Sequence, residues 1–152
     1  MKVYNLERKT TLPISIDKAW SFFSDPRNLA KITPETMNFE ILTQNLPKSI
    51  YSGLLVQYTV TPLLGLKMKW LTEIKHVKEP FYFIDEQKSG PYSLWYHEHS
   101  FSESGNHTIM TDKVSYALPF SILGNISHSI FVRKKIESIF DHREKVVAAL
   151  FK

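Results

Sequence analysis

At 152 residues, with 19 Lys and Arg against 15 Asp and Glu, the chain is long enough to bury one core without metal or disulfide staples, and a single domain over residues 1–152 is expected. It contains no cysteine, which excludes disulfides, thiol catalysis and cysteine-based zinc sites and fits a reducing compartment. The basic excess forms no long block, so nucleic acid is not an expected partner, and Arg133, Lys134, Lys135, Arg143, Lys145 and Lys152 read as the solvated face of a helix.

The N-terminal stretch MKVYNLERKTTLP alternates, unlike a signal peptide, and no run reaches the ~20 apolar residues of a membrane span. A soluble, cytoplasmic protein without stable membrane insertion is expected. Over residues 2–11 the alternation places Tyr4, Leu6 and Arg8 on one side of a first strand and Val3, Asn5 and Glu7 on the other, with Pro13 ending it. Asp17 is placed to N-cap a short helix with Ala19, Trp20, Phe22 and Phe23 as its apolar face. Asp25-Pro26 breaks that helix, and Pro26 opens a second through Asn28, Leu29 and Ile32 before Pro34 closes it.

Phe39, Ile41 and Thr43 give a second strand, and Leu54, Val56, Tyr58 and Val60 share a face of a third. The connector over residues 61–69 carries Leu63, Leu64, Leu66 and Met68 beside Pro62 and Gly65. An exposed apolar loop is costly, so it reads either as a plug folded into the core or as a lip over a pocket mouth. Trp70, Thr72, Ile74 and His76 share one face of a fourth strand, and Glu79-Pro80 turns the chain into a hairpin over residues 81–101.

In that hairpin Phe81, Phe83, Asp85 and Gln87 point one way on the first strand, and Trp95, His97, His99 and Phe101 share a face of the second. A loop over residues 89–93 around Gly90-Pro91 sets Phe83 opposite His99, Asp85 opposite His97 and Gln87 opposite Trp95; a slip of two residues sets Asp85 against His99 instead. Aromatic rings flank a carboxylate, an amide and two imidazoles, a poor pattern for a dry core and a reasonable one for a polar-centred cavity wall. A last strand over residues 108–118 puts Met110, Asp112, Val114 and Tyr116 on one face. Residues 123–150 then carry Ile126, Ile130, Ile136, Phe140, Val147 and Leu150 near helical spacing, with Ile130, Ile136 and Phe140 expected against the sheet. Such a helix is about 40 Å long and must cross the sheet. Gly124 suits a kink or a close approach near its start. The fold class is α+β: a curved antiparallel sheet of about six to seven strands around a long C-terminal helix, two short helices after the first strand, and a hollow between sheet and helix.

Asp85 with His97 or His99 can act as an acid-base dyad, since a carboxylate fixes the imidazole tautomer and raises its pKa. The same residues, with Gln87, Asp112 and Tyr116, can instead satisfy one another as a buried network. His97-x-His99 with Asp85 or Asp112 meets the minimum ligand count for a metal, but such a pair also arises when each histidine caps a different polar neighbour, and neither a metal nor a cofactor is expected. His76, His107, His128 and His142 read as isolated and exposed.

Asn28-Leu29 with Ile32-Thr33-Pro34, Phe83 with Asp85, Gln87 and Gly90-Pro91, then Trp95, His97, His99 and Phe101, then Asp112, Tyr116 and Pro119 together resemble the START-like, helix-grip (SRPBCC) superfamily. That superfamily includes polyketide cyclase/dehydrase-type proteins and lipid-transfer domains. The likeness covers nearly the whole chain and is nearest to a bacterial ligand-binding branch, some of whose members are described as cell-division-inhibitor-like. It implies a deep cavity for a small hydrophobic or amphipathic ligand, lipid-like or polyketide-like, between sheet and helix. The expected ligand-facing residues are Tyr58, Trp70, Phe83, Asp85, Gln87, Trp95, His97, His99, Phe101, Asp112 and Tyr116. The alternatives are a cyclase or dehydratase using Asp85, His97 and His99 as catalytic residues, and a regulatory interaction module.

Overall fold

In the strand of residues His107–Ala117, Thr108, Met110, Asp112, Val114 and Tyr116 are buried while most residues between them are half-buried or exposed, the period-two pattern of a strand with one covered face. The same pattern builds a seven-stranded antiparallel sheet. The computed structural model describes residues 1–62, 65–119 and 126–152. Its strands are β1 (Val3–Leu12), β2 (Glu40–Ile41), β3 (Leu55–Val60), β4 (Met68–Lys78), β5 (Tyr82–Ser89), β6 (Leu94–Ser104) and β7 (His107–Ala117). Their order across the sheet is β1-β7-β6-β5-β4-β3-β2, so every neighbour is sequential except the closing pair β1 and β7. Helices α1 (Ile16–Phe23) and α2 (Leu29–Ile32) follow β1, and α3 (Ile126–Leu150) ends the chain.

Tyr4, Leu6 and Arg8 occupy the partly covered side of β1, where Tyr4 stacks on Tyr116 at 5.4 Å and Arg8 pairs with Asp141 of α3 at 3.0 Å. Helix α1 buries Ile16, Ala19, Trp20 and Phe23, with the Trp20 ring edge-on to Phe83 and Phe101. Its N-cap is Ser15, whose Oγ accepts from Lys18 N, rather than Asp17, which sits in the first turn. Asp25 caps the next turn instead, accepting from Arg27 N at 3.0 Å with Pro26 at the first position.

Four further expectations are corrected. The second strand shrinks to two residues, and Thr43 lies beyond it, its Oγ1 accepting from Gln57 N. His76 leaves the face of Trp70, Thr72 and Ile74, because a register shift between Ile74 and His76 inverts the alternation and turns Val77 toward the core. Phe81 lies in the turn before β5 and is 51% exposed, so it does not share the face of Phe83. On α3 the buried stripe is Val132, Ile136, Phe140 and Val147; Ile130, two positions or about 200° from Val132, is 53% exposed, and Leu150 in the last turn is half exposed. Leu123 and Gly124, the side chain of Ile126, and Leu63 and Leu64 of the connector lie outside the described residues, so the choice between lip and plug does too. Leu66 on that connector is exposed. Among the described residues no helix is long and apolar enough to cross a membrane.

Candidate functional site

The concave face of the sheet, α2 and α3 enclose a hollow of two adjoining lobes, about 610 and 800 Å³ with their mouths included. The first is lined by Phe22, Phe23, Ile50, Val56, Ile74 and Phe83, the second by Trp70, Tyr92, Trp95, Ile136, Ile139 and Phe140. Leu29, Ile32, Tyr58, Asp85, His99 and Arg143 line both. Asp85, His99 and Arg143 thus sit where the lobes meet, and the further carboxylate, Asp25, lines the first lobe alone and is held by Arg27.

The hairpin register explains how. Phe83 pairs with His99 and Asp85 with His97, and β6 pairs with β7 so that His99 faces Asp112. Asp85 nevertheless bonds diagonally: its Oδ2 is 2.7 Å from His99 Nε2 and 3.7 Å from Nδ1 of His97, its direct partner. Asp112 Oδ1 lies 2.8 Å from His97 Nε2, 3.1 Å from His99 Nδ1 and 3.1 Å from the Arg143 Nη1 donor. The His99 contact to Asp112 is off the line of a good hydrogen bond, leaving that buried nitrogen poorly satisfied. The two imidazoles lie face to face with centroids 3.6 Å apart, His99 stacks on Phe83, and the Arg143 guanidinium sits over Phe23 and Phe140.

Charge balance assigns the protons. Two carboxylates against one guanidinium leave one negative charge, which a single imidazolium neutralises. Burial alone would push the His99 pKa down, but bonds and attraction to Asp112 and Asp85 reverse it, so His99 is raised and carries that proton. Burial and the neighbouring His99 hold His97 below its ordinary value, so it is neutral, its Nε2–H donating to Asp112. Burial disfavours both carboxylate anions, yet His99 keeps Asp85 below its usual range and Arg143 with the histidines keeps Asp112 well below it. Tyr58, buried and bonded to Thr72 Oγ1 at 3.1 Å, is pushed up and stays a neutral phenol.

Of the residues expected to face a ligand, Tyr58, Trp70, Phe83, Asp85, Trp95, His97 and His99 line the hollow, and four do not. Gln87 is not paired with Trp95, since the β5–β6 register ends at Glu86 with Tyr96; its amide instead bonds Tyr92 N and O across the loop. A Cβ on Gly90 would come 2.6 Å from Gln87 Oε1, so the bare glycine leaves room for the Gln87 amide to reach Tyr92. Phe101 packs against Trp20 and Phe23, Asp112 sits across from His99 on the neighbouring strand, and Tyr116 sits across from Trp95 and meets the rings of Tyr92 and Trp95. Sequence reasoning missed Arg143, read as solvated, and Tyr92, whose place inside a turn gives no periodic signal. Asp85, His97 and His99 each bring a donor atom within 4.8 Å of the others, the grouping that could hold a metal.

No family model matches the sequence, and no curated protein matches it. Solved structures do. Ms6760 from Mycobacterium smegmatis superposes with a TM-score of 0.72 over 100% of this chain and 96% of its own, at 17% identity. A START superfamily protein from Mycobacterium smegmatis gives 0.72 over 97% and 96%, at 13% identity. The chain has the START-like, helix-grip fold. Major latex-like protein 151 from Panax ginseng shares the helix-grip architecture with a TM-score of 0.63 over 94% of this chain and 96% of its own, at 14% identity. Helix-grip proteins at such identities share a frame; what fills the frame here is argued from its residues.

Proposed function

We propose that the protein binds a small amphipathic molecule in the two-lobed hollow, its apolar parts against the aromatic walls and its polar group at Asp85, His99 and Arg143. One observation carries this reading: an otherwise largely apolar lining bears Asp85, His99 and Arg143 on the wall that both lobes share, while Asp25, on the first lobe alone, is already paired with Arg27. Arg143 uses one nitrogen on Asp112 and keeps other N–H donors, while Asp85 accepts; a hydroxyl, enol or amide matches that pairing better than a second charge. The experiment is native mass spectrometry of purified protein, followed by displacement of anilinonaphthalene sulfonate by candidate lipids and polyketide-like compounds. One displaceable probe per chain, weakened by Asp85→Asn, supports the reading; a folded wild type that binds no probe and carries no small molecule sinks it.

A second reading, a cyclase or dehydratase, draws on His97. It is neutral, it lines the second lobe, and its Nδ1 lone pair is 3.7 Å from Asp85, beyond hydrogen-bond reach, so it is available to take a proton beside a ketone. Turnover lost in His97→Gln with ligand binding kept supports it.

A further inference from the structure

The geometry points to a divalent transition-metal site formed by His97 Nδ1, His99 Nε2 and the Asp85 carboxylate, with Asp112 behind both imidazoles as the positioning residue. This goes beyond the sequence reading, which expected no metal, and it does not depend on the hollow holding an organic ligand.

Ligand atoms 2.0–2.1 Å from a tetrahedral zinc ion lie about 3.3 Å apart. Asp85 Oδ2 is 2.7 Å from His99 Nε2 and 3.7 Å from His97 Nδ1, values that bracket that spacing, and the three residues each offer a donor atom within 4.8 Å of the others. Because the two rings lie 3.6 Å apart at an interplanar angle of 32°, converting the cluster into a two-histidine, one-carboxylate face requires the imidazoles to fan apart so that both lone pairs meet at the ion.

The tautomer of His97 is already set for it, and His99 releases its Nε2 proton when the ion binds. His97 ligates through Nδ1 while its Nε2–H donates to Asp112 Oδ1 at 2.8 Å. His99 ligates through the opposite nitrogen, Nε2, and its Nδ1 lies 3.1 Å from the same oxygen, off the line of a good hydrogen bond. A carboxylate receiving the far N–H of a ligating imidazole is the usual outer support of a metal-bound histidine, and Asp112 gives that support to His97. Arg143, 3.1 Å from that oxygen, keeps Asp112 anionic and engaged. A purely structural network needs no such arrangement, in which three donors crowd one oxygen while His99 Nδ1 makes no well-directed bond.

The donor set selects the ion. Two imidazoles and one carboxylate suit Zn²⁺, Fe²⁺ or Co²⁺ and not the all-oxygen shells of Mg²⁺ or Ca²⁺. With both histidines neutral, Asp85, Asp112 and Arg143 sum to one negative charge, which a dication offsets. Three protein ligands leave an open position, and it faces the hollow, because Asp85 and His99 line both lobes and His97 the second.

The test uses the full chain stripped with EDTA and titrated with ZnCl₂ or CoCl₂. Expected are one ion per chain by calorimetry, the visible absorption of four- or five-coordinate Co²⁺, and long-range proton–nitrogen spectra in which Zn²⁺ moves His97 Nδ1 and His99 Nε2. Asp112→Asn should weaken binding by about 10- to 100-fold, and His76→Gln, on the exposed side of β4, should leave it unchanged. The wild-type spectra decide even where a cluster variant fails to fold. No stoichiometric binding at millimolar Zn²⁺, or shifts confined to His76, His107, His128 and His142, overturns the proposal.

Discussion

At the scale of single residues, the central object is Asp112, a carboxylate 3% exposed whose anion survives burial only because Arg143 and two histidines face it. Replacing Arg143 with Met removes a charged hydrogen bond across 31 residues of chain and should cost about 1.5–3 kcal/mol in urea denaturation. A loss under about 0.5 kcal/mol, the range of an ordinary surface change, would return Arg143 to solvent. A second prediction concerns pH in the metal-free protein. His99 is raised above 6.5, so its contribution to stability is complete below that value and fades as pH rises through its native pKa; His97 is lowered, so protonating it below 6.5 opposes folding. The two carboxylates are lowered from 3.8, and their contribution is lost as pH falls through their native values. Imidazole proton resonances should therefore titrate on opposite sides of 6.5, and coincident titration would contradict the proton assignment. The histidines were legible because alternation puts His97 and His99 on one face with Asp85 opposite. Arg143 was not, since one arginine in a basic helix carries no mark of the strand its side chain will reach.

At the scale of elements, period and turn chemistry determined more than residue identity. Of the two hairpin registers that the turn around Gly90-Pro91 left open, the one pairing Phe83 with His99 and Asp85 with His97 is observed, and the buried face of β7 followed from simple alternation. Failures came where a local irregularity changes the phase. The shift in β4 between Ile74 and His76 leaves no trace in a residue pattern that still alternates, and a phase error of two positions on α3 carried Ile130 to the solvent side. The helix stripe gives a sharp test. Phe140→Ala, removing a buried ring that meets His97 at 5.6 Å, should cost about 3–5 kcal/mol, whereas Ile130→Ala should stay within about 0.5 kcal/mol. Equal losses at the two positions would mean that α3 is rotated relative to the sheet.

For the molecule as a whole, the long helix lies over a sheet that it does not fill, and the space left over is the hollow. Element order alone announced the frame, because strand, two short helices, antiparallel strands and a final helix admit few packings. The division into two lobes was not legible, since it depends on where α2 brings Leu29 and Ile32 down toward Tyr58 and Asp85, a tertiary approach with no periodic signature. If the lobes act as one site, its blockage should depend on ligand length. Val56 lines only the first lobe and Val60 only the second, and both are buried on the same face of β3. Val56→Trp and Val60→Trp should each place an indole into open space, keeping the strain below the usual overpacking cost of about 1–3 kcal/mol. A long-chain polyene fatty acid spanning both lobes should lose binding in both variants, while a compact probe such as anilinonaphthalene sulfonate should lose it in only one. Fluorescence titration of the two folded variants with the two probes decides the matter. Binding of the long probe unaffected by either tryptophan would mean that it sits outside the hollow, and loss of the compact probe in both would mean that the lobes are a single undivided space.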